Sequence, residues 1–267
     1  MHKLLKKFTL DFLNIDVKRI NNISNKSYKK IINKKTIKFD PVTDTDIKLE
    51  KIILKRIKQY FPSHYIKSEE VGDLTSINQD YKWYVDPLDG TKNYILGFDY
   101  FSILIGLFYK DMPIFSLIYY PSSKKSFFSI GNNTYKFDFI NKKINSVKFN
   151  KFSTNDYTKI VVNSKNTITK KNVINFFDNK NFIFKVTGAD SYNYILLAMK
   201  KIDIVVESGL KDIDVMPLIH FLKINNINYL NWNKNKIINK KNNSFIFFYN
   251  NKKNLKIVNS FLNTIKS

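Results

Sequence analysis

The chain has 267 residues, of which 45 are Lys or Arg and 22 are Asp or Glu, so its formal net charge is +23. It contains no cysteine, which excludes disulfides and thiol chemistry, and its 43% hydrophobic residues are enough for a large core. The lysines are scattered and do not form one basic tail or helix face, so we expect no specific nucleic-acid partner. The longest apolar run, Phe101 to Tyr109, is too short to cross a bilayer, and we expect a cytoplasmic protein without a membrane anchor.

The first predicted element that bears on function is a helix that ends before Pro62. Apolar residues recur at helical spacing from Leu49 to Ile57, and Asp46 lies at the start of this helix, where the helix dipole favours a carboxylate. A capping role alone would explain Asp46, and it stays open as an alternative to a catalytic role. We expect the segment after Pro62, which contains His64, to be a loop.

An acidic turn follows the next predicted strand. The strand ends in an aspartate, and a proline then fixes the backbone, so that a stiff turn presents two carboxylates. A glycine lets the backbone approach a ligand closely, and the threonine after it is predicted to cap a short helix whose free N–H groups suit an anion. Rigid oxygen ligands suit Mg²⁺, so the turn is a candidate metal site. The alternative is an ordinary surface turn, in which Asp, Pro and Gly are the usual residues. The residues of the turn are Asp86, Pro87, Leu88, Asp89, Gly90 and Thr91.

Further acidic residues lie at other junctions of the chain. Glu69 and Glu70 precede the turn, and Asp214 begins a predicted helix over 213–222. Taken singly, the two glutamates are explained as solvated loop residues and Asp214 as a helix cap. Together with Asp46 and the turn, they place acids at four structural junctions of a basic chain, which favours one shared site.

The remaining pattern predicts an α/β fold in two lobes. Apolar segments over 101–139 predict hairpins, and the Lys- and Asn-rich stretch 141–156 is the candidate boundary. We therefore expect an N-terminal α+β lobe over 1–145, with a mostly antiparallel sheet, and a C-terminal α/β lobe over 146–267 that supplies Asp214. The second lobe is predicted to alternate strands at 159–162, 182–186, 202–207 and 244–249 with helices near 190–200, 213–223 and 252–265.

The order of these motifs resembles the inositol monophosphatase superfamily of Mg²⁺-dependent, lithium-sensitive phosphomonoesterases. The resemblance spans about residues 5 to 265 and centres on Asp-Pro-Leu-Asp-Gly-Thr at 86–91. The second half looks most like the histidinol-phosphate phosphatase branch, on Gly188-Ala189-Asp190, Val205-Val206-Glu207 and Asn231-Trp232-Asn233. The resemblance implies a layered αβαβα sandwich, a cofactor of two or three Mg²⁺ ions and a homodimer.

The resemblance also implies roles for individual residues. Asp46, Thr91 and Glu70 fall on catalytic positions, of which Asp46 and Thr91 are the pair that orients the attacking water. The amides of Gly90 and Thr91 fall on the phosphate cradle. The metal-binding positions are Glu70, Asp86, Asp89 and Asp214, together with the carbonyl of Leu88. The positions that face the substrate are Asp89, Gly188, Ala189, Asp190, Glu207 and Asp214.

One departure from the family pattern lies beside the site, and another follows the last aspartate. Ser68 stands where a glycine usually precedes the two glutamates. Lys223-Ile224-Asn225-Asn226-Ile227 replaces a glycine-rich stretch, and we expect the turn to persist there because asparagine tolerates positive φ. Both changes leave the metal-ligand positions intact.

The sequence therefore predicts a phosphomonoesterase that hydrolyses a small phosphorylated substrate, with histidinol phosphate, of histidine biosynthesis, as the leading candidate. Two alternatives within the superfamily are an inositol monophosphatase with a broad sugar-phosphate range and a 3′(2′),5′-bisphosphate nucleotidase. A non-catalytic basic scaffold or nucleic-acid-binding protein is the alternative from another class. A mechanism through a phosphohistidine is disfavoured, because His2 is near a chain terminus, His64 is in a predicted loop and His220 is in an apolar helix where a packing role is expected.

Overall fold

The computed structural model groups the chain into two compact units. The first comprises Met1–Val147 and Ile213–Ile224, and the second comprises Lys148–Asp212 and Asn225–Ser267. In the part of the chain that the structure describes, no helix is both long and apolar enough to span a bilayer. The described residues are 1–26, 30–33, 41–74, 77–149, 157–162, 176, 182–188, 190–207, 209–230, 246–249 and 252–266.

Up to residue 147, the described chain forms four α-helices and ten strands. The helices are α1 (His2–Asp11), α2 (Val17–Ser24), α3 (Asp44–Tyr60) and α4 (Thr91–Ile95), and a π-helical turn at Phe12–Asp16 joins the first two. The strands are β1 (Ile31–Asn33), β2 (Pro41–Thr43), β3 (His64–Ser68), β4 (Gly72–Leu74), β5 (Asn78–Asp89), β6 (Ser102–Tyr109), β7 (Met112–Tyr120), β8 (Lys125–Ile130), β9 (Asn133–Asp138) and β10 (Lys143–Val147).

Eight of these strands form one sheet in the order β10-β9-β8-β7-β6-β5-β3-β4, while β1 and β2 pair separately. Only the β3–β5 pair in this sheet is parallel, so the predicted antiparallel character is confirmed. The hairpins predicted over 101–139 are the strands β6 to β9. Short tight turns join them, which is the usual connection between antiparallel neighbours.

Helices α1 to α3 cover one face of the sheet. Leu49, Ile53 and Ile57 are fully buried, which confirms the helical spacing predicted for α3. The ring of Phe8 in α1 lies 5.3 Å from that of Trp83 in β5 and 6.1 Å from that of Phe115 in β7. Aromatic side chains of this size each bury a large apolar area, which stabilises the helix–sheet packing.

Beyond residue 147, the described elements alternate strands and helices. A five-stranded sheet has the order β12-β11-β13-β15-β14, with β11 parallel to both of its neighbours and β15 antiparallel to both of its own. The elements are β11 (Thr158–Val162), β12 (Phe182–Val186), α5 (Asp190–Ala198), β13 (Ile204–Glu207), α6 (Asp212–Val215), a 3-10 turn (Met216–Leu218), α7 (Ile219–Ile224), β14 (Asn228–Leu230), β15 (Ile246–Tyr249) and α8 (Lys252–Lys266).

The segment 213–224 belongs to the first unit, although the sequence predicts it in the C-terminal lobe. It covers the other face of the first sheet: the Phe221 amide donates to Ser116 Oγ at 3.2 Å, and Ser129 Oγ lies 2.6 Å from His220 Nδ1. With both faces covered, β6 is apolar and buried on both sides along most of its length. Asp214 is thereby placed on the same unit as the acidic turn.

Two local predictions about this region have different outcomes. The continuous helix predicted over 213–222 is interrupted at Pro217, because proline cannot donate the backbone hydrogen bond that a helix interior requires. In the turn after α7, Asn226 adopts a φ of 58°, which confirms that asparagine takes the place of a glycine there.

His64 lies in a strand, so the predicted loop after Pro62 is wrong at this residue. It begins β3, it is buried, and its Nδ1 accepts a hydrogen bond from Trp83 Nε1 at 3.1 Å. Burial lowers the pKa of His64 to about 4. Burial and the nearby charge of Lys223 likewise lower the pKa of His220 to about 4, against the opposing hydrogen bonds of Ser129 and Gly131.

The two buried histidines predict a loss of stability in mild acid. Their pKa values are lower in the folded than in the unfolded chain, where histidine titrates near about 6.5, so the unfolded state binds more protons between about pH 4 and pH 6.5. The contribution of the neutral imidazoles is complete above pH 6.5 and is lost as the pH falls towards 4.

Thermal unfolding at about pH 7.5 and about pH 5 measures this effect. We expect His64→Asn and His220→Asn, which keep a polar atom near Nδ1, each to show a smaller drop in Tm between the two pH values than the wild-type protein. Equal drops in all three proteins would show that these histidines do not cause the acid sensitivity.

Candidate metal and phosphate site

The candidate site begins at the end of β5, where the pairing with β6 is irregular. Asp86 pairs with Leu104 and Asp89 pairs with Ser102, so three steps along β5 correspond to two steps along β6. One residue of β5 is therefore extra, as in a β-bulge, and Pro87 is compatible with it because proline has no N–H to donate. Residues 86 and 89 of a regular strand would point to opposite faces, and the extra residue brings both aspartates to the same face.

Asp86 is a buried carboxylate in the neighbourhood of other carboxylates. Burial raises its pKa well above the usual range, and the charges of Glu69, Asp89 and Asp214 raise it further. The Leu88 amide, which donates to Asp86 Oδ1 at 2.9 Å, acts in the opposite direction. Repulsion among these acids costs free energy unless a cation or a proton compensates their charge.

The structure places Glu69, and not the predicted Glu70, among the carboxylates that raise the pKa of Asp86. The Glu69 amide donates to the Val85 carbonyl at 3.2 Å, which holds this residue beside the end of β5. The Glu70 amide instead donates to Glu50 Oε1 at 2.9 Å. Adjacent residues of a chain that leaves a strand project in different directions, so two neighbouring glutamates do not both face the same aspartates.

Asp46 is part of a helix cap, and it also contacts Thr91 of the acidic turn. It forms a capping box with Thr43, in which Asp46 Oδ2 accepts from the Thr43 amide at 2.8 Å. Its other oxygen, Oδ1, accepts from Thr91 Oγ1 at 3.1 Å, and the Thr91 hydroxyl also lies 3.0 Å from the Leu88 carbonyl. Burial raises the pKa of Asp46, and the hydrogen bonds from Thr43 and Thr91 oppose that rise.

Gly90 is required by the backbone at the start of α4. Its φ is +89°, and a Cβ at this position would lie 2.7 Å from the carbonyl oxygen of Tyr100. The structure makes Gly90 the N-cap and Thr91 the first helical residue, whereas the sequence predicts Thr91 as the cap. Without a Cβ at residue 90, the backbone before α4 can approach a ligand closely, as the predicted phosphate cradle requires.

The predicted substrate-facing residues of the second unit lie around α5 and the end of β13. Gly188 has a φ of +66°, Asp190 begins α5, and Glu207 ends β13. Glu207 is fully buried; its Oε2 accepts from the Tyr194 hydroxyl, and its Oε1 lies 3.5 Å from Asn193 Nδ2. The predicted positions Ala189 and 231–233 lie outside the described residues.

The donor chemistry at Asp86 fits a hard cation. Carboxylate oxygens are preferred ligands of Mg²⁺, and a divalent ion would relieve the repulsion that Glu69, Asp89 and Asp214 exert on Asp86. Across the described ranges, no three Asp, Glu or His side chains converge as a complete metal cage. The fit therefore rests on the electrostatics of these carboxylates and on the stiff turn that carries two of them.

Comparison with known proteins identifies relatives of this chain. The profile of the inositol monophosphatase family matches residues 13–236. A chloroplastic bifunctional phosphatase from Arabidopsis thaliana, IMPL2, is 33% identical over 181 residues, which make up 67% of this chain and 51% of the plant protein. The alignment thus spans about half the length of that relative.

Solved structures share the fold. An IMPase from Thermotoga maritima aligns with a TM-score of 0.79 and 18% identity over 100% of this chain and 99% of that chain. An IMPase/NADP phosphatase complexed with Mg²⁺ and phosphate aligns with a TM-score of 0.74 and 21% identity over 91% of this chain and 92% of that chain. These alignments confirm the predicted α/β fold class. Since the family profile covers most of the sequence, the chain belongs to the inositol monophosphatase family.

Proposed function

We propose that this chain is a Mg²⁺-dependent phosphomonoesterase. The observation that carries the proposal is the buried Asp86, whose charge is disfavoured by Glu69, Asp89 and Asp214 and would be stabilised by a divalent cation. Membership of a phosphatase family and the glycine-capped start of α4 beside this turn support the same conclusion. Phosphate monoester dianions need such compensation, because their charge repels an attacking nucleophile and their alkoxide leaving group is poor.

Residues of the first unit would hold the metal ions. We assign Asp86, Asp89, Asp214 and the Leu88 carbonyl to this role, with Glu69 in place of the predicted Glu70. Bound Mg²⁺ supplies charge neutralisation and lowers the pKa of a water molecule. Two or three ions remain the prediction from the family resemblance.

Asp46 and Thr91 would control the proton of the attacking water. The Thr91 hydroxyl is held between Asp46 Oδ1, at 3.1 Å, and the Leu88 carbonyl, at 3.0 Å, so its oxygen has a fixed position. A buried carboxylate with a raised pKa is a suitable proton acceptor at neutral pH, and Asp46 reaches the hydroxyl directly. The amides of Gly90 and Thr91 would bind the phosphate oxygens.

Histidinol phosphate is the leading substrate in this proposal. Its organic part carries an amine and an imidazole, and the predicted substrate-facing residues of the second unit include the two carboxylates Asp190 and Glu207. Hydrogen bonds from Tyr194 and Asn193 hold Glu207 as a buried acceptor, which suits a cationic group better than a neutral polyol. A homodimer and a cytoplasmic location remain predictions.

Phosphate release from a panel of esters tests the reaction and the substrate separately. We expect turnover only with Mg²⁺, and faster turnover of histidinol phosphate than of inositol 1-phosphate, adenosine 3′,5′-bisphosphate or NADP. The last compound is included because one structural relative is described as an IMPase/NADP phosphatase. Fastest turnover of another ester would replace the substrate and keep the reaction. No Mg²⁺-dependent turnover of any ester would favour the non-catalytic alternative.

A further inference from the structure

Glu50 is a buried carboxylate to which the proposed reaction assigns no role. It lies in α3, one helical turn after Asp46 and on the same side of the helix, and it is fully buried. A buried acid without a basic partner is costly, so its presence calls for a specific set of hydrogen bonds.

The hydrogen bonds that Glu50 accepts converge on one oxygen, and their donors lie at the end of β3 and in the turn that follows it. Ser68 Oγ donates to Oε1, as do the amides of Glu70 at 2.9 Å and Val71 at 3.3 Å. The second oxygen, Oε2, is buried and has no hydrogen-bond partner among the described residues. Convergence of three donors on one atom fixes the path of the turn more firmly than a single bond would.

The same turn is fixed from its other side by the sheet. Ser68 is in parallel register with Val85, and the Glu69 amide donates to the Val85 carbonyl at 3.2 Å. Glu69 therefore lies between two anchors, the β5 backbone before the acidic turn and the Glu50 carboxylate on α3. Ordering the backbone of this turn costs conformational entropy. Because the two anchors already hold the turn, this cost does not reduce the free energy of ion binding.

We propose that Glu50 is a positioning residue that fixes the turn 68–71 and thereby holds the Glu69 carboxylate at the metal site. This inference rests on the proposed function, in which Glu69 is a ligand of Mg²⁺. Glu50 itself touches neither metal nor substrate. Residues that orient a ligand from behind typically change metal affinity by about 10- to 100-fold when they are removed.

A direct binding measurement tests the inference without relying on turnover. Isothermal titration of metal-free protein with Mg²⁺ alone, in the absence of substrate, compares the wild type with Glu50→Ala and Glu50→Gln. We expect Glu50→Ala to weaken binding by about tenfold or more, because the three donors lose their acceptor. Glu50→Gln keeps an acceptor oxygen, so we expect it to recover most of the affinity.

Two further variants separate positioning from general stability. Ser68→Ala removes one of the three donors and leaves Glu50 in place, so it should also weaken Mg²⁺ binding, but by less than Glu50→Ala. This variant tests the inference even if Glu50→Ala does not fold. Phe137→Leu in β9, a buried residue separated from β3 by four strands of the sheet, should lower Tm and leave Mg²⁺ affinity unchanged.

The outcomes are distinguishable. Weak binding in Glu50→Ala with recovery in Glu50→Gln supports the inference. Wild-type affinity in both Glu50→Ala and Ser68→Ala overturns the inference and leaves the proposed function intact. Equal losses of affinity in Glu50→Ala and Glu50→Gln also overturn it, because the charge of Glu50, and not its role as a hydrogen-bond acceptor, would then matter. Absence of Mg²⁺ binding in the wild type would overturn the proposed function, and this inference with it.

Discussion

Asp86→Asn is expected to reduce kcat/KM for Mg²⁺-dependent phosphate release by about a thousandfold, which corresponds to about 4 kcal/mol of transition-state stabilisation. The same substitution should raise the Tm of the metal-free protein. Both effects have one cause: the folded chain buries this carboxylate next to Glu69, Asp89 and Asp214, and a neutral amide removes the repulsion together with a metal ligand. The amide oxygen can still accept the hydrogen bond from the Leu88 N–H.

Asp80→Asn is the matched control for this experiment. Asp80 lies in the same strand, but it is exposed and its partner is Lys110, 3.8 Å away, so its removal should change neither rate nor Tm appreciably. Initial rates with saturating Mg²⁺ and thermal unfolding without metal measure the two effects. Near wild-type activity in Asp86→Asn, or a lower Tm of the metal-free variant, would contradict the assignment of Asp86.

Gly106→Ala is expected to impair both stability and Mg²⁺ binding, although Gly106 is not part of the acidic group. Gly106 lies in the middle of β6, and a Cβ there would approach the Pro217 Cα to 2.4 Å and the Pro217 carbonyl oxygen to 3.0 Å. The backbone of the segment that carries Asp214 must therefore move away from the sheet. Overpacking of this kind costs about 1–3 kcal/mol, and we expect Mg²⁺ affinity to fall by about tenfold.

Gly209→Ala provides the comparison for Gly106→Ala. A Cβ on Gly209 meets no atom within 4 Å, so the methyl group costs only the strain of a φ of +70°, about 1–2 kcal/mol. Calorimetric unfolding and titration with Mg²⁺ would therefore show lost stability in both variants but lost affinity only in Gly106→Ala. Unchanged Mg²⁺ affinity in Gly106→Ala would mean that Asp214 does not depend on the close contact between β6 and Pro217.

The parts of the fold that local sequence determines were predictable. The periodicity that begins at Leu49 predicts α3, which ends at Tyr60, before Pro62 as predicted. The strands predicted near 159–162 and 182–186 are present as β11 and β12. Hydrophobic period and proline act over a few residues, so they are visible without knowledge of the tertiary structure.

The features that depend on distant contacts were not predictable. Glu69 and Glu70 have the same side chain, but their amides bond to different partners, the Val85 carbonyl and the Glu50 carboxylate, which the sequence does not reveal. Segment 213–224 packs against strands that lie about a hundred residues earlier, as in the bond from the Phe221 amide to Ser116 Oγ. The role of Glu50 depends in the same way on a turn twenty residues later in the chain.

The most direct test of the central claim is the rate of phosphate release, from whichever ester of the panel is turned over fastest, by protein freed of metal with EDTA and then titrated with Mg²⁺. The wild-type protein should be inactive without the ion and should gain activity in a saturable manner, whereas Asp86→Asn should stay inactive at concentrations that saturate the wild type. Equal rates with and without Mg²⁺, or a normal response to Mg²⁺ in Asp86→Asn, would contradict the account.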